Sequence, residues 1–421
     1  MSKKVVLAYS GGLDTSIILK YLIAEKGYEV IAYMADLGQV CDFEAAKEKA
    51  LKLGASAVEI VDLKEDFLLN FVYPAIRGNL KYEGRYLLGT SLARPVTARA
   101  QVEVAKKHNA NILSHGATGK GNDQIRFEFV YRTLMPEAEI FAPWKDPEFL
   151  EFFKGRDDLL AYADKNNIPV KQSKDEPWST DDNLLHISYE AGMLEDPMAI
   201  PRSSMFELTK SPQDAPDKET VIEIEFKAGN PSKLKMIDSY KTDSMGIMQD
   251  IQYGESYDKP LDLFSKLNDL ACENGIGRTD LVESRYVGMK SRGVYETPAG
   301  TVLYFAHQDL EALCVDREVI KRNLHTGIDL AERVYSGYWY SPERELMQQD
   351  IDNSQKVVNG IVRLSLYKGN ITCYGRTSPD SLYSEEIASM HEEGGYDQTN
   401  ARGFIDISVL RLQSYEQQKN K

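Results

Sequence analysis

A chain of 421 residues is too long for one ordinary hydrophobic core, so two domains and a tail are expected. With 42% hydrophobic and 27% charged residues it reads as globular rather than disordered, and no run approaches the ~18 apolar residues of a membrane span. Lys plus Arg number 50 against 65 Asp plus Glu, for a net charge of −15, and such a surface repels a nucleic-acid backbone unless a basic patch overrides it.

No basic cluster interleaved with aromatics is present, so small-molecule partners are expected rather than nucleic acid or membrane. Met1-Ser2-Lys3-Lys4 runs straight into an apolar segment and lacks the long apolar stretch and cleavage site of a signal peptide. Cys41, Cys272, Cys314 and Cys373 lie far apart, with no CxxC pair and no His at ligand spacing. That pattern suits a reducing cytoplasm and predicts neither a zinc site nor a disulfide.

In chain order, residues 5–8 predict a buried strand. Residues 14–26 predict a helix with Ile17, Ile18, Tyr21 and Leu22 on one face. A strand follows at 30–34, a helix at 43–53 and a strand at 57–62. A further helix is expected to open at Pro95, where proline suits a first turn, and to run to about His108. A strand at 112–115 follows. This rhythm implies a parallel sheet with right-handed crossovers, covered on both faces. Ligands then bind beyond the carboxyl ends of the strands, so the loops at 9–14, 35–39 and 115–123 are expected to share one crevice.

From about residue 171 loops lengthen and alternating β-branched strands appear, as at 221–226 and 360–366, which predicts an α+β domain. The polar stretch 229–260 is expected to be a hairpin or surface insertion. Residues 401–418 are expected to form an amphipathic helix with Asn400 as N-cap and Phe404, Ile407 and Leu410 or Arg411 on one face. The expected division is a nucleotide-binding domain at 1–168, a second domain at 169–384 and a tail at 385–421.

Three strings carry chemistry. Tyr9-Ser10-Gly11-Gly12-Leu13-Asp14-Thr15-Ser16 lies between the first strand and the first helix. Its glycines let backbone N–H groups approach an anion, its hydroxyls add donors, and the helix start supplies roughly +0.5 of charge. It is not a Walker A loop, because no lysine follows the glycines. Alone, such a turn could equally be a capped strand-to-helix junction. Next, Tyr86-Leu87-Leu88-Gly89-Thr90-Ser91-Leu92-Ala93-Arg94-Pro95 ends at the predicted helix start, where Thr90 and Ser91 could act only as caps. Finally, His115-Gly116-Ala117-Thr118-Gly119-Lys120-Gly121-Asn122-Asp123-Gln124 gathers a hydroxyl, an amide, a carboxylate and a cation on a glycine-rich loop. Arg126 follows one turn into the next helix, where its planar fork suits a substrate carboxylate. The Gly275-Ile276-Gly277 string lacks the context of a dinucleotide fingerprint and is expected to be a turn.

The first string resembles the PP-loop of ATP pyrophosphatases. All three together, with Trp178-Ser179-Thr180-Asp181, the string from His186 to Gly192, Val282-Glu283 and the string from Lys290 to Pro298, resemble the argininosuccinate synthase family over nearly the whole chain. The resemblance implies an α/β fold: a parallel-sheet, adenine nucleotide alpha hydrolase-like PP-loop domain, an α+β synthetase domain, and a C-terminal helix that embraces neighbouring subunits of a homotetramer. It implies ATP as substrate, Mg²⁺, and ligation of citrulline to aspartate through a citrullyl-adenylate. By the family's pattern Ala8 to Ser16, Ala35 and Ser114 to Asn122 would hold ATP. Tyr86, Ser91, Asn122, Arg126, Ser179, Ser188, Glu283 and Tyr295 would bind citrulline. Thr118, Asn122 and Asp123 would bind aspartate, with Thr90 and Arg94 assisting. Asp14, Asp123 and Arg126 are the expected catalytic groups; the metal ligands stay open. Ala117 stands where family members often carry Cys, which argues against a required thiol. Rival readings are a tRNA thiolase, a glutamine-dependent relative and a nucleotide sensor. They would need, respectively, a cysteine pair with a basic surface, an amidotransferase domain, and an absence of turnover.

Overall fold

The computed structural model describes residues 3–119, 121–169, 178–389 and 395–420. Its first sheet contains β1 (Lys4–Ala8), β2 (Glu29–Asp36), β3 (Ala57–Asp62), β4 (Ile112–Ser114) and β5 (Glu139–Phe141), all parallel, in the order β3-β2-β1-β4-β5. Central β1 is apolar at consecutive positions because crossover helices cover both faces of the sheet. The two-residue period of a strand divides its side chains. Val5 and Leu7 pack with Ile17, Ile18 and Phe149, whereas Val6 joins Tyr33, Leu92 and Val96 on the opposite face. The expected strands and the helices Leu13–Ala24 and Phe43–Leu53 all form, with ends shifted by a residue or two in most of them.

The next long helix departs from expectation. It spans Gly89–His108, so Pro95 lies inside it instead of opening it. The chain enters through Leu88, at φ 65° in the left-handed region. That conformation costs a non-glycine residue roughly 1–2 kcal/mol. Leu88, Leu92, Ala93 and Val96 are all fully buried. Their packing offsets both that strain and the hydrogen bond that proline cannot donate.

Beyond residue 178 the strands are β6 (Ser179–Asp182), β7 (Ile187–Glu190), β8 (Thr220–Lys227), β9 (Asn230–Thr242), β10 (Met248–Tyr257), β11 (Arg278–Ser284), β12 (Lys290–Glu296), β13 (Gly360–Tyr367) and β14 (Asn370–Thr377). They form two antiparallel sheets, β11-β12-β7-β6 and β10-β9-β8-β13-β14. The 229–260 stretch is the β9–β10 hairpin. Its base is fixed by buried Glu223, which accepts from Lys235 Nζ (2.9 Å), Tyr253 OH (2.9 Å) and Arg363 Nε (3.0 Å). Gly275 and Gly277 make a turn with φ of +70° and +108°. The register of β12 sets Tyr295 opposite Ser188, and both face the site described below.

One core runs unbroken from the Val6 face of the first sheet into the second half of the chain, through Tyr86, Tyr295, Ile224 and Leu364. The two halves therefore share one hydrophobic core. The last helix, Asn400–Lys419, buries no residue. Its N-cap is Thr399 rather than Asn400, with no side-chain cap bond. Nor is it a single amphipathic stripe: Phe404, Ile407 and Tyr415 share one side, while Ile405 and Leu412 lie on another, and all are exposed.

Candidate active site

The first string forms an anion-binding turn. Gly11 sits at φ +78°, and a Cβ there would come within 3.0 Å of Ala46 Cβ, so the turn needs glycine for both conformation and space. Gly12 is the N-cap of the Leu13–Ala24 helix and has no side chain to cap it. The first amides of the helix have no intrahelical partner, no side chain caps them, and Leu13, Asp14 and Thr15 line the crevice. The hydroxyls brace the turn: Ser10 Oγ and Thr15 Oγ1 lie 3.1 Å apart, and Ser16 Oγ donates to Gly12 O at 2.7 Å. The simple capped junction is not what forms.

This turn, the end of β2 and the loop after β4 open on one crevice of about 1030 Å³, lined by Ala8, Tyr9, Ser10, Gly12, Leu13, Asp14, Thr15, Ala35, Gly116, Ala117 and Thr118. The three loops do share a crevice, as the parallel sheet requires. Gln39 fastens the β2 loop by bonding Ala35 O (2.6 Å) and Leu37 N (2.7 Å). Val40 N donates to Asp182 Oδ2 (2.9 Å), which ties the crevice rim to β6. Burial pushes the Asp14 carboxyl above its usual range, and Arg156 opposes that.

A second cavity of about 280 Å³ adjoins the first, between the two halves of the chain. Its lining brings together Tyr86, Thr90, Arg94, Thr118, Gly121, Asn122, Asp123, Arg126, Ser179, Ser188, Glu283 and Tyr295. Arg94, Gly116, Ala117, Thr118, Asp123, Thr180 and Asp181 line both spaces. A ligand in one therefore touches the walls of the other.

Some expected residues do not line either space. Ser16, Ser91, Ser114 and His115 are fully buried, with their side chains inside the domain. His115 stacks on Phe127, accepts from Ala117 N at Nδ1 (3.2 Å) and faces Glu128 with Nε2. Gly11 and Gly119 are also absent from both linings, and Lys120 lies outside the described residues. Arg126 differs from its expected arrangement. Its Nε and Nη2 both donate to Tyr335 O, at 2.9 and 2.7 Å, and Nη1 donates to Asp123 Oδ1 at 2.8 Å. Its fork therefore clasps the chain itself, leaving two of five N–H donors for a ligand.

The charged groups form one network. Asp123 accepts from Arg94 Nε and Arg126 Nη1, each at 2.8 Å. Burial alone would raise its pKa, but the two guanidiniums outweigh it and hold the carboxyl below its ordinary value. Arg94 Nη2 also reaches Asp181 Oδ2 (2.5 Å), where burial wins and the pKa is raised. Burial likewise raises Glu283, which accepts from Tyr335 OH (2.7 Å) and Tyr295 OH (3.1 Å). Neither Thr90 nor Ser91 caps the helix. Thr90 Oγ1 lies 3.1 Å from Asp181 Oδ2 and 3.0 Å from His186 Nε2. Burial, with help from Arg94, lowers the His186 pKa to about 3, so the ring is neutral. A neutral ring donating at Nε2 lets Thr90 donate in turn to Asp181.

Asp181, His186, Glu190 and Arg285 are groups that sequence reasoning did not single out. Asp181, Glu190 and Arg285 line the smaller cavity, and Arg285 Nη2 pairs with Glu190 at 2.6 Å. Asp181 and the His186–Glu190 pair lie within strings already noticed, which was the available signal; Arg285 had only its nearness to Glu283. Among the described residues no group of three or more His, Cys, Asp or Glu could hold a metal ion.

The family model described as the arginosuccinate synthase N-terminal HUP domain matches residues 4–169, and that for the arginosuccinate synthase C-terminal domain matches 178–415. A protein of Thermotoga maritima named argininosuccinate synthase is 50% identical over 416 residues, 99% of this chain and 98% of its own. Proteins of the same name from Rattus norvegicus and Homo sapiens are each 50% identical over 423 residues, 100% of this chain and 99% of theirs.

Proposed function

The chain belongs to the argininosuccinate synthase family, and we propose that the two adjoining cavities divide that family's reaction between them. The enzyme is a carbon–nitrogen ligase that joins L-citrulline to L-aspartate at the expense of ATP, releasing AMP and pyrophosphate. The observation that carries the proposal is the wall shared by the PP-loop crevice and the smaller cavity. A nucleotide on the PP-loop would through that wall lie beside a ligand among Tyr86, Asn122, Ser188 and Tyr295.

ATP occupies the crevice through residues 8–16, Ala35 and the loop 114–122, with the buried side chains of Ser16, Ser114 and His115 holding the loops in shape. Citrulline lies against Tyr86, Asn122, Arg126, Ser179, Ser188, Glu283 and Tyr295, and Ser91 packs behind them. Its ureido oxygen, a weak nucleophile, is aligned with the α-phosphorus, and alignment of this kind supplies roughly 7–11 kcal/mol. Pyrophosphate departs over the PP-loop amides. The aspartate amine, held by Thr118, Asn122 and Asp123 with Thr90 and Arg94 behind, then attacks the citrullyl-adenylate carbon and expels AMP. A carboxylate held below its usual pKa is a poor base, so Asp123 orients the amine rather than deprotonating it.

Mg²⁺ would be held chiefly by the phosphates of the nucleotide, with Asp14, whose carboxylate lines the crevice, as the PP-loop's candidate ligand, and would neutralise leaving-group charge there. Residues 1–168 would form the nucleotide-binding domain, which also lends Tyr86, Asn122 and Asp123 to the smaller cavity; 169–384 would form the synthetase domain and 385–421 the assembly tail. The exposed apolar sides of the Asn400–Lys419 helix fit a homotetramer in which it grips neighbouring subunits. No helix among the described residues is long and apolar enough to cross a membrane, and the separated cysteines suit the cytoplasm.

The test is to incubate the protein with Mg-ATP and measure AMP and pyrophosphate with citrulline and aspartate each present or omitted. Release that needs citrulline, with argininosuccinate formed only when both are present, is expected. Release independent of citrulline would refute the assigned substrate.

A further inference from the structure

A PP-loop leaves an electrostatic question that a Walker A loop answers with its lysine. The triphosphate is strongly anionic, the first string contains no cation, and its Asp14 adds a negative charge to a chain already at −15. Among the described residues, three basic side chains line the crevice: Arg94, Lys154 and Arg156. Arg94 is committed to Asp123 and Asp181. Lys154 and Arg156 are exposed, and neither forms an ion pair with a carboxylate among the described residues.

Their backbone is held firmly although their side chains are not. Phe153 is 3% exposed and packs on Tyr21 of the PP-loop helix and on Tyr162, at ring separations of 5.9 and 5.1 Å. Lys154 N donates to Asp158 Oδ2 at 2.8 Å. Gly155 leaves open space between the two cations, because a Cβ there would meet nothing within 4 Å. The segment is thus anchored to the same helix whose start forms the PP-loop, and Arg156 lies close enough to Asp14 to oppose the rise in its pKa. Neither cation lines the smaller cavity, so the amino-acid carboxylates are beyond their reach there.

We propose that Lys154 and Arg156 form the cationic wall of the nucleotide crevice, receiving the β- and γ-phosphates of ATP and holding the departing pyrophosphate opposite the PP-loop amides. The proposal rests on the reading of the crevice as the ATP site and extends it to two residues that no motif of the chain marks. Two solvent-reaching side chains on a fixed base are suited to follow a group that must first be bound and then released.

The experiment titrates inorganic pyrophosphate and, separately, AMP into the full-length enzyme with Mg²⁺ by calorimetry. It compares wild type with Lys154→Ala/Arg156→Ala and with the charge-keeping Lys154→Arg/Arg156→Lys. Charge-assisted contacts are roughly twice as strong as neutral ones, so the alanine pair is expected to weaken pyrophosphate binding by about tenfold or more. AMP affinity stays within about twofold, and the charge-keeping pair restores most of the loss. In steady state the KM for ATP rises while those for citrulline and aspartate hold. Unchanged pyrophosphate affinity in the alanine pair, or an equal loss for AMP and pyrophosphate, overturns the proposal. If the wild type binds pyrophosphate through these residues yet makes no AMP with citrulline, the wall stands and the substrate assignment falls.

Discussion

Asp123→Asn tests the division of labour most directly. The carboxylate accepts from Arg94 and Arg126, each at 2.8 Å, with its side chain 27% exposed. An amide keeps one acceptor and turns an NH₂ toward a guanidinium. Breaking a fully buried pair costs about 3–5 kcal/mol, so this part-exposed one is expected to cost about 2–3 kcal/mol of stability. Losing the hydrogen bond from the amine to a charged carboxylate costs a further 1.5–3 kcal/mol in the transition state, roughly ten- to a hundredfold in kcat/KM for aspartate. The assay measures initial rates of argininosuccinate formation with each substrate varied, alongside denaturant unfolding. The KM for ATP is expected to change less than about threefold, because the PP-loop is untouched. The pH dependence carries a sign. The folded pKa is depressed, so the stabilisation is fully present above the unfolded value of about 3.9 and is lost as pH falls through the lower folded value. The stability gap between wild type and variant should therefore close only at acid pH. Equal losses for ATP and aspartate, or a gap independent of pH, would refute the reasoning.

Three further outcomes are expected. Gly89→Ala would place a Cβ 2.3 Å from the His186 ring, which stacks on Tyr295, so overpacking should lower the melting temperature at a cost of about 1–3 kcal/mol; an unchanged melt would show that the ring has room to move. Glu128 is raised by burial, but His115 and Lys145 outweigh that and pull its pKa down from 4.5 to about 2. Its contribution is present above pH 4.5 and lost as pH falls toward 2, so Glu128→Gln should flatten the melting-temperature profile in that window; parallel profiles would count against the pairing. Deleting residues 401–421 removes Phe404 and Ile407, each 74% exposed, and should shift gel filtration to a smaller species, whereas an unchanged assembly would place the subunit contacts elsewhere.

Strands 5–8 and 30–34 were legible because a parallel sheet covered on both faces needs unbroken apolar runs, the edge strand 57–62 from its β-branched residues despite Glu59, and the phosphate turn because Gly11 sits where only glycine is at ease. The position of the crevice followed from those strands, since loops at one end of a parallel sheet must meet. The start of the helix at Gly89 was not legible. Proline's preference for a first turn is a local signal, and burial of Leu88, Leu92 and Val96 overrode it. Nor could the sequence say that Ser91 and His115 turn inward, or that Arg126 clasps Tyr335, because Tyr335 comes from a helix 209 positions away. Sequence by itself determined which backbone could cradle phosphate and which strings carry polar chemistry, for those depend on local conformation and residue type. Tertiary structure alone decided that Arg94 bridges Asp123 and Asp181, and that His186 backs Thr90. Charge networks and pKa shifts arise from burial and from neighbours distant in the chain, and neither is encoded in spacing.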